Sequence, residues 1–261
     1  MLFRKEHAKP REDGLTDYNC YFMSVKEKVI YAAIGMVAMF LVGYLFYQNI
    51  ILSCVLMLSG LGFPRIMAKR LKEKRKQELA IQFKEMLYAV SSSLSVGKSV
   101  ESALKAALSD LDVIYPDENT DILRELKYIV RGLEMNATLE QMLFQFSQRA
   151  HLEDIDNFAD VFVTCKRSGG DLIEVIRSAS NTIADKIEIK AEIATTLSDK
   201  KMEFNVLMIM PIVMVAMLSY IAEDYMAPVF HSIAGHLVMT IAIGLFIIAY
   251  IVGKRIMNVE V

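Results

Sequence analysis

VIYAAIGMVAMFLVGYLFY, residues 29–47, is the first of four stretches in this sequence that contain no Asp, Glu, Lys or Arg. The other three cover residues 50–64, 204–222 and 233–252. An uncharged run of about 20 residues matches the hydrocarbon thickness of a bilayer, and core helices of soluble proteins rarely stay uncharged that long. The sequence therefore predicts four membrane-spanning helices, arranged along the chain in two close pairs.

The second stretch, residues 50–64, is shorter than the other three. It either spans by recruiting the next turn, Arg65–Ala68, with the arginine snorkelling to the interface, or forms one arm of a re-entrant hairpin. Of these two arrangements the spanning one is favoured.

Basic residues near the ends of the four stretches predict the orientation. A cluster follows the second stretch, whereas the connections 48–49 and 223–232 contain no Lys or Arg. The positive-inside rule places such clusters in the cytoplasm. Both termini and the long middle of the chain are therefore expected on the cytoplasmic side. The cluster consists of Arg65, Lys69, Arg70, Lys72, Lys74, Arg75 and Lys76.

The middle of the chain has the apolar spacing of helices throughout. From Gln77 to Asn205 apolar residues recur three and four positions apart, with no alternation typical of strands. Gly97 suits the left-handed position after the first of these helices, and Ser99 can cap the second. Thr138 and Gln141 have the spacing of a capping box. The pattern predicts a bundle of about six helices.

The last connection within this bundle is glycine-rich. Gly169 and Gly170 end the fifth helix, and Asp171 caps the sixth, with Glu174 placed to complete a second capping box. Nothing interrupts the helical pattern from Leu172 to Pro211, so the sixth helix should continue into the third apolar stretch. The predicted organisation is all-α: a cytoplasmic tail (1–28), a transmembrane pair (29–68), a cytoplasmic helical module (69–203), a second transmembrane pair with a short outer loop (204–253) and a cytoplasmic tail (254–261). Residues 1–25 of the first tail are expected to be mobile, with a short interfacial helix around residues 21–28 as the alternative.

The sequence offers no convergent set of residues for catalysis, a cofactor or a metal. His231 and His236 are five positions apart and would not share one helix face. Val96–Ser99 has the lysine and serine of a phosphate-binding loop, but it lacks the earlier glycine and the preceding strand. The net charge of −2 and the position of the basic cluster next to the membrane argue against nucleic acid. We therefore expect a protein that is not an enzyme.

An acidic cluster opens the fifth helix and has two interpretations. Acids in a first turn complement the helix dipole, which is a structural role. Alternatively, they form an electrostatic docking surface for a basic partner. The cluster consists of Glu153, Asp154, Asp156 and Asp160.

Five short segments follow one another along the chain: QFKEML (82–87), SVGKSV (95–100), RSGGDL (167–172), YMAPVF (225–230) and GKRIMNVEV (253–261). Their motif residues are Gly97, Ser99, Gly169, Gly170, Asp171, Tyr225 and Pro228. In their order and spacing, these segments resemble the type II secretion system F domain family, and most closely the Tad/Flp pilus platform protein of the B type. The resemblance covers about residues 63–261, and it departs at Glu223-Asp224, where an Asn-Pro or Asp-Pro pair is expected before Tyr225.

This resemblance implies a multi-pass platform in the bacterial inner membrane. Such a platform works with a cytoplasmic secretion ATPase and a second F-type subunit to move pilins out of the membrane, in contact with lipid and as a homo- or hetero-oligomer. The alternative function is a non-enzymatic subunit of a transporter or channel, although the apolar stretches contain few polar groups for a transport pathway.

Overall fold

A computed structural model describes Leu15, residues 17–21 and residues 23–257, and within this part of the chain the fold is all-helical, without strands. The all-α part of the predicted fold class is thus confirmed for the described residues. The helices are α1 (Val25–Tyr47), α2 (Ile50–Ser59), a 3₁₀ turn (Gly60–Gly62), α3 (Phe63–Ser95), α4 (Val100–Ile114), α5 (Asp121–Glu134), α6 (Leu139–Ala150), α7 (Glu153–Ser168), α8 (Leu172–Ile221), α9 (Glu223–His231) and α10 (Ile233–Met257).

The contacts divide the chain into two compact units. The polar unit consists of Ala68–Glu188 together with the described residues up to Ser24. The apolar unit consists of Val25–Met67 and the described residues from Ile189 onward. Helices α3 and α8 contribute residues to both units, because the boundaries of the units fall inside these helices.

Six helices, α3 to α8, surround the core of the polar unit. On α3 a stripe of apolar residues three and four positions apart is buried, as the predicted helical spacing requires. The Phe83 ring lies edge-on to Phe146 and Phe158, with centroids 5.8 and 5.5 Å away, and so joins α3 to α6 and α7. Such aromatic contacts add to the burial of apolar surface. The stripe consists of Leu79, Phe83, Met86, Leu87, Val90 and Leu94.

The N-terminal segment belongs to this core, which corrects the expectation of a mobile tail. Tyr18 is 2% exposed and lies in the core of the polar unit, and Leu15 and Met23 are also buried. The prediction of a mobile tail fails because it is based on the polar composition of the segment, which nevertheless contains these three buried apolar residues. Its part before Leu15 lies outside the described residues. Helix α1 begins at Val25, earlier than the predicted start at residue 29.

Local signals at helix ends are confirmed where a side chain or backbone angle specifies them. Gly97 follows α3 with φ +83°, a conformation that glycine adopts without a Cβ clash. The Ser99 hydroxyl accepts a hydrogen bond from the Ser102 amide at 3.3 Å. Thr138 and Gln141 form the reciprocal capping box at the start of α6.

The basic cluster after the second apolar stretch lies inside α3, so the first helix of the bundle starts far before its predicted beginning near Gln77. Pro64 stands in the first turn of α3, where a missing amide proton costs nothing. Among the described residues, four helical segments are long and apolar enough to cross a membrane: Val25–Tyr47, Ile50–Ser95, Leu172–Ile221 and Ala234–Ile256. The second of these segments combines α2, the 3₁₀ turn and α3.

Glycines bring helices of the apolar unit into backbone contact. A Cβ on Gly60 would stand 2.6 Å from the Gly35 backbone, and one on Gly43 would stand 3.0 Å from the Ser53 Cα. A side chain at these glycines would keep the helices apart. Gly62 differs from them, because no atom lies within 4 Å of a Cβ added there.

The connection between the last two apolar stretches is a helix, α9, which corrects the predicted short loop. Asp224 lies in its first turn, where a carboxylate complements the helix dipole. Tyr47 links α1 to α10 through a hydrogen bond of 2.9 Å between its hydroxyl and Thr240.

Candidate functional site

The four acids at the start of α7 do not form one surface. Glu153, Asp156 and Asp160 are exposed, whereas Asp154 is half-buried. A helix turns by about 100° per residue, so the first three share a face and Asp154 lies to one side of it. The predicted docking cluster therefore separates into an exposed acidic face of three residues and a fourth residue with a different environment.

Asp154 is held by an ion pair to α8. The Lys186 ammonium donates to the Asp154 carboxylate at 2.7 Å, and this hydrogen bond raises the pKa of Lys186. Both side chains keep partial solvent exposure, so the net stabilisation is small. The ion pair joins α7 to α8 at the end of the hairpin that lies away from the glycine connection.

The connection between α7 and α8 is a tight turn that depends on glycine. Gly169 has φ +71°, and the Gly170 amide donates to the Cys165 carbonyl at 2.9 Å. A Cβ on Gly170 would approach the Cys165 Sγ to 2.8 Å. These two observations give a physical reason for the Gly-Gly pair in the sequence.

Asp171 caps α8 as the sequence predicts. Its Oδ1 accepts from the amides of Ile173 at 2.8 Å and Glu174 at 3.3 Å. Among the described hydrogen bonds Glu174 makes no return contact to Asp171, so the second capping box is present only in its first half.

A groove of about 390 Å³ lies between α7 and α8. Its floor contains the buried Phe158 and Ile183, and its walls contain the exposed Asn157, Val161 and Ser178. The exposed acidic face of α7 borders the same side of the hairpin. Together the groove and the acids form the candidate site, which we call the α7–α8 surface.

A second cluster of charged residues is buried in the polar unit. The Arg149 guanidinium donates to both Glu125 carboxylate oxygens, at 3.2 and 2.6 Å, and both side chains are almost fully buried. The Tyr18 hydroxyl donates to the same carboxylate at 3.1 Å, and the Tyr18 amide donates to the Arg149 carbonyl. Burial and the neighbouring Glu125 raise the pKa of Tyr18 well above its ordinary value, which keeps the hydroxyl a donor.

A further ion pair borders this cluster. Arg75 makes a two-pronged contact with Asp121, at 2.8 and 2.6 Å, and its guanidinium lies 5.0 Å from the centroid of the Tyr18 ring. Burial raises the pKa of Glu125 in spite of the Arg149 guanidinium. Together, the cluster and this ion pair join the segment before α1 to α3, α5 and α6.

Sequence reasoning missed this cluster, although one signal was present. Arg149 stands seven residues after Met142, on the apolar face of α6. Likewise, Glu125 stands between Ile122 and Ile129 on the apolar face of α5. A charged residue in the apolar register of a helix needs a partner when it is buried.

The remaining motif residues lie at separate places. Gly97 and Ser99 form the connection of α3 and α4, and Tyr225 and Pro228 lie in α9 of the apolar unit. In the part of the chain that the structure describes, no three His, Cys, Asp or Glu residues are grouped so as to hold a metal ion.

Comparison with known proteins gives one match. A family model for protein F of the type II secretion system (T2SS) matches residues 86–219, just over half of the 261-residue chain. No curated protein and no solved structure gives a significant match. The matched region begins within α3, includes the whole α7–α8 hairpin and ends near the end of α8. The chain therefore belongs to the type II secretion system protein F family, the membrane platform proteins of type II secretion and type IV pilus-related systems.

Proposed function

We propose that this chain is the platform of a Tad/Flp-type pilus machine in the bacterial inner membrane, with both termini in the cytoplasm. In this proposal it couples a cytoplasmic secretion ATPase to the movement of pilins, beside a second F-type subunit, and performs no catalysis of its own. Membership of the protein F family supports the platform role. The order of sequence segments, from QFKEML to the GKRIMNVEV tail, supports the Tad/Flp assignment.

Helix α8 is the observation that carries the coupling proposal. It is a single helix of 50 residues that begins in the polar unit and ends in the apolar unit. In its first part Ile176, Ser180 and Ile183 are buried in the polar unit. Its last part is apolar and long enough to cross a membrane, with none of that window buried within the protein. A displacement of the first part would pass along the helix without a slack linker.

In this proposal the secretion ATPase binds to the α7–α8 surface. Glu153, Asp156 and Asp160 form an exposed acidic face, which suits a basic surface on the ATPase. This face lies on the hairpin whose second helix is α8, so a force applied there acts directly on the helix that enters the apolar unit.

Ile187→Pro tests the coupling. Ile187 packs against the core near the boundary of the polar unit, and proline there removes a helical hydrogen bond and clashes with the preceding turn, at a cost of about 3 kcal/mol or more. We expect the variant to reach the membrane fraction and to form no pili. Ile187→Ala, which removes the side chain and keeps the helix, is the matched control and should form pili. Normal pili in Ile187→Pro would refute the relay.

A further inference from the structure

The groove between α7 and α8 has a lining that suits the packing of a third helix. On the α8 side the groove is lined by Ser178, Ala179 and Thr182, which lie one, three and four positions apart. Their side chains are short, so they leave room for another helix. Opposite them, Val161 on α7 remains 52% exposed although it borders the groove. Small residues on one helix beside an apolar side chain on the next allow a further helix to pack closely.

The lining favours a helix over a small molecule. Sites for small molecules place several polar groups so that they converge on a ligand. Here the floor is formed by Phe158 and Ile183, and the wall residues Asn157, Ser178 and Thr182 are neutral and exposed. Two carboxylates also line the groove, but Asp154 is paired with Lys186 and Glu174 is exposed. An amphipathic helix in such a groove places an apolar stripe on the floor and leaves its flanks in solvent.

Acidic residues border the groove and would face the flanks of such a helix. Helical periodicity places Glu153 and Asp160 on the solvent side of α7, and Asp185 beside Ser178 on α8, and all three acids are exposed. None of the described residues that line the groove is Lys or Arg. The nearby Lys186 is already paired with Asp154. The rim is therefore acidic on both sides.

We propose that the groove binds an amphipathic helix of a partner protein, with an apolar stripe flanked by Lys or Arg. The inference rests on the proposed function, because it gives the docking surface its occupant. The apolar stripe contacts Phe158 and Val161, and the basic flanks face Glu153 and Asp160 on one side and Asp185 on the other. Oppositely charged rims then set the orientation of the helix.

Photocrosslinking in the cells that produce the full-length protein tests this. A benzoylphenylalanine at Asn181, exposed on α8 beside the groove, should capture a peptide of another protein with apolar residues three and four apart and Lys or Arg on its flanks. The same photoreactive residue at Val113, exposed on α4, is the control for capture of any neighbour.

Two variants connect the capture with the groove. Ser178→Phe fills it and should abolish the crosslink, whereas Ser109→Phe adds the same side chain to an exposed position of α4 and should not. Reversing the rim with Glu153→Lys, Asp160→Lys and Asp185→Lys should reduce the crosslink yield at least about tenfold. Circular dichroism of each purified variant verifies that the helices are retained.

Several results would overturn the proposal. They are a captured peptide from a second copy of this chain, a peptide without basic flanks, or a crosslink that Ser178→Phe does not affect. Piliation of the Ile187→Pro variant tests the coupling through α8 separately from the crosslink at position 181. If Ile187→Pro forms normal pili and the photoreactive residue at Asn181 still captures the basic helix, the coupling proposal is wrong and helix binding by the groove is supported. If Ile187→Pro forms no pili and the residue at Asn181 captures nothing, helix binding by the groove is wrong and the coupling proposal is supported.

Discussion

The two units of this protein reach close packing by opposite means. In the polar unit, bulky side chains surround an ion pair, Arg149 with Glu125, that is almost fully shielded from solvent. In the apolar unit, α1 and the turn after α2 meet backbone to backbone at Gly35 and Gly60. Close backbone contact at small residues is typical of helices that meet in lipid, where apolar side chains gain no hydrophobic energy from burial against one another.

Surface composition shows the same contrast. In the apolar unit, large apolar residues such as Leu41, Met210 and Leu245 are 60%, 63% and 63% exposed. Exposed apolar surface on this scale is unfavourable in water and is typical of contact with lipid or protein. We therefore expect the stability of the polar unit to depend on a few buried charged side chains. The stability of the apolar unit should depend on glycines at helix contacts, where a Cβ would not fit.

Among the variants, Arg149→Ala is expected to lower the free energy of unfolding most. Removal of the guanidinium leaves Glu125 buried without its counter-ion, which typically costs about 3–5 kcal/mol. Urea unfolding of the detergent-solubilised chain, followed by pulse proteolysis of the polar unit, measures the loss. The control is Lys105→Ala, which breaks an exposed ion pair of similar length, 2.7 Å to Glu134, and should cost less than about 1 kcal/mol.

A combined replacement sharpens this prediction. Arg149→Met, Glu125→Leu and Tyr18→Phe together remove the ion pair and the hydroxyl that donates to it, and should recover most of the loss because neither partner is left as an unpaired buried charge. If the single variant proved as stable as the original, Glu125 would have to obtain solvent or another partner. That outcome would contradict a dry cluster in the polar unit.

Gly60→Ala tests the apolar unit and should have the second largest effect. Its added Cβ would stand 2.6 Å from the Gly35 backbone, which cannot rotate away as a side chain does. Overpacking of this kind costs about 1–3 kcal/mol. Thermal unfolding in detergent should show a lower midpoint than the original chain.

Gly62→Ala is the matched control, because nothing lies within 4 Å of its added Cβ. It should leave the midpoint unchanged or raise it slightly, since alanine favours helical conformations. Equal midpoints for the two variants would mean that α1 and the 3₁₀ turn do not touch as described.

Gly169→Ala should have a smaller effect, confined to the α7–α8 hairpin. The φ of +71° at Gly169 costs a residue with a Cβ about 1–2 kcal/mol, although no neighbouring atom blocks the new methyl group. Gly169→Asn should cost less, because asparagine tolerates this conformation better. Identical losses for alanine and asparagine, measured by urea unfolding, would contradict a backbone cause.

Short-range signals made much of this fold predictable. Gly97, Ser99 and Thr138 act on atoms within a few residues along the chain, and the apolar stripe of α3 follows from its own spacing. Long-range pairs were not predictable, because Tyr18 meets Glu125 across 107 positions. No periodicity encodes which of several buried charges will pair. For the candidate site, the sequence identified the four acids but could not show that Lys186 would engage Asp154.

Tyr18→Phe should have the smallest effect and tests whether the segment before α1 is held by its hydroxyl. The variant keeps the buried ring beside Arg75 and removes only the donor to Glu125, at an expected cost of about 1 kcal/mol. Tyr115→Phe is the matched control, since the Tyr115 hydroxyl also donates to a carboxylate, that of Glu85, at a half-buried position. Water can replace that donor, so the control should lose less. A larger loss for Tyr115→Phe than for Tyr18→Phe would mean that the ring, and not the hydroxyl, anchors the N-terminal segment.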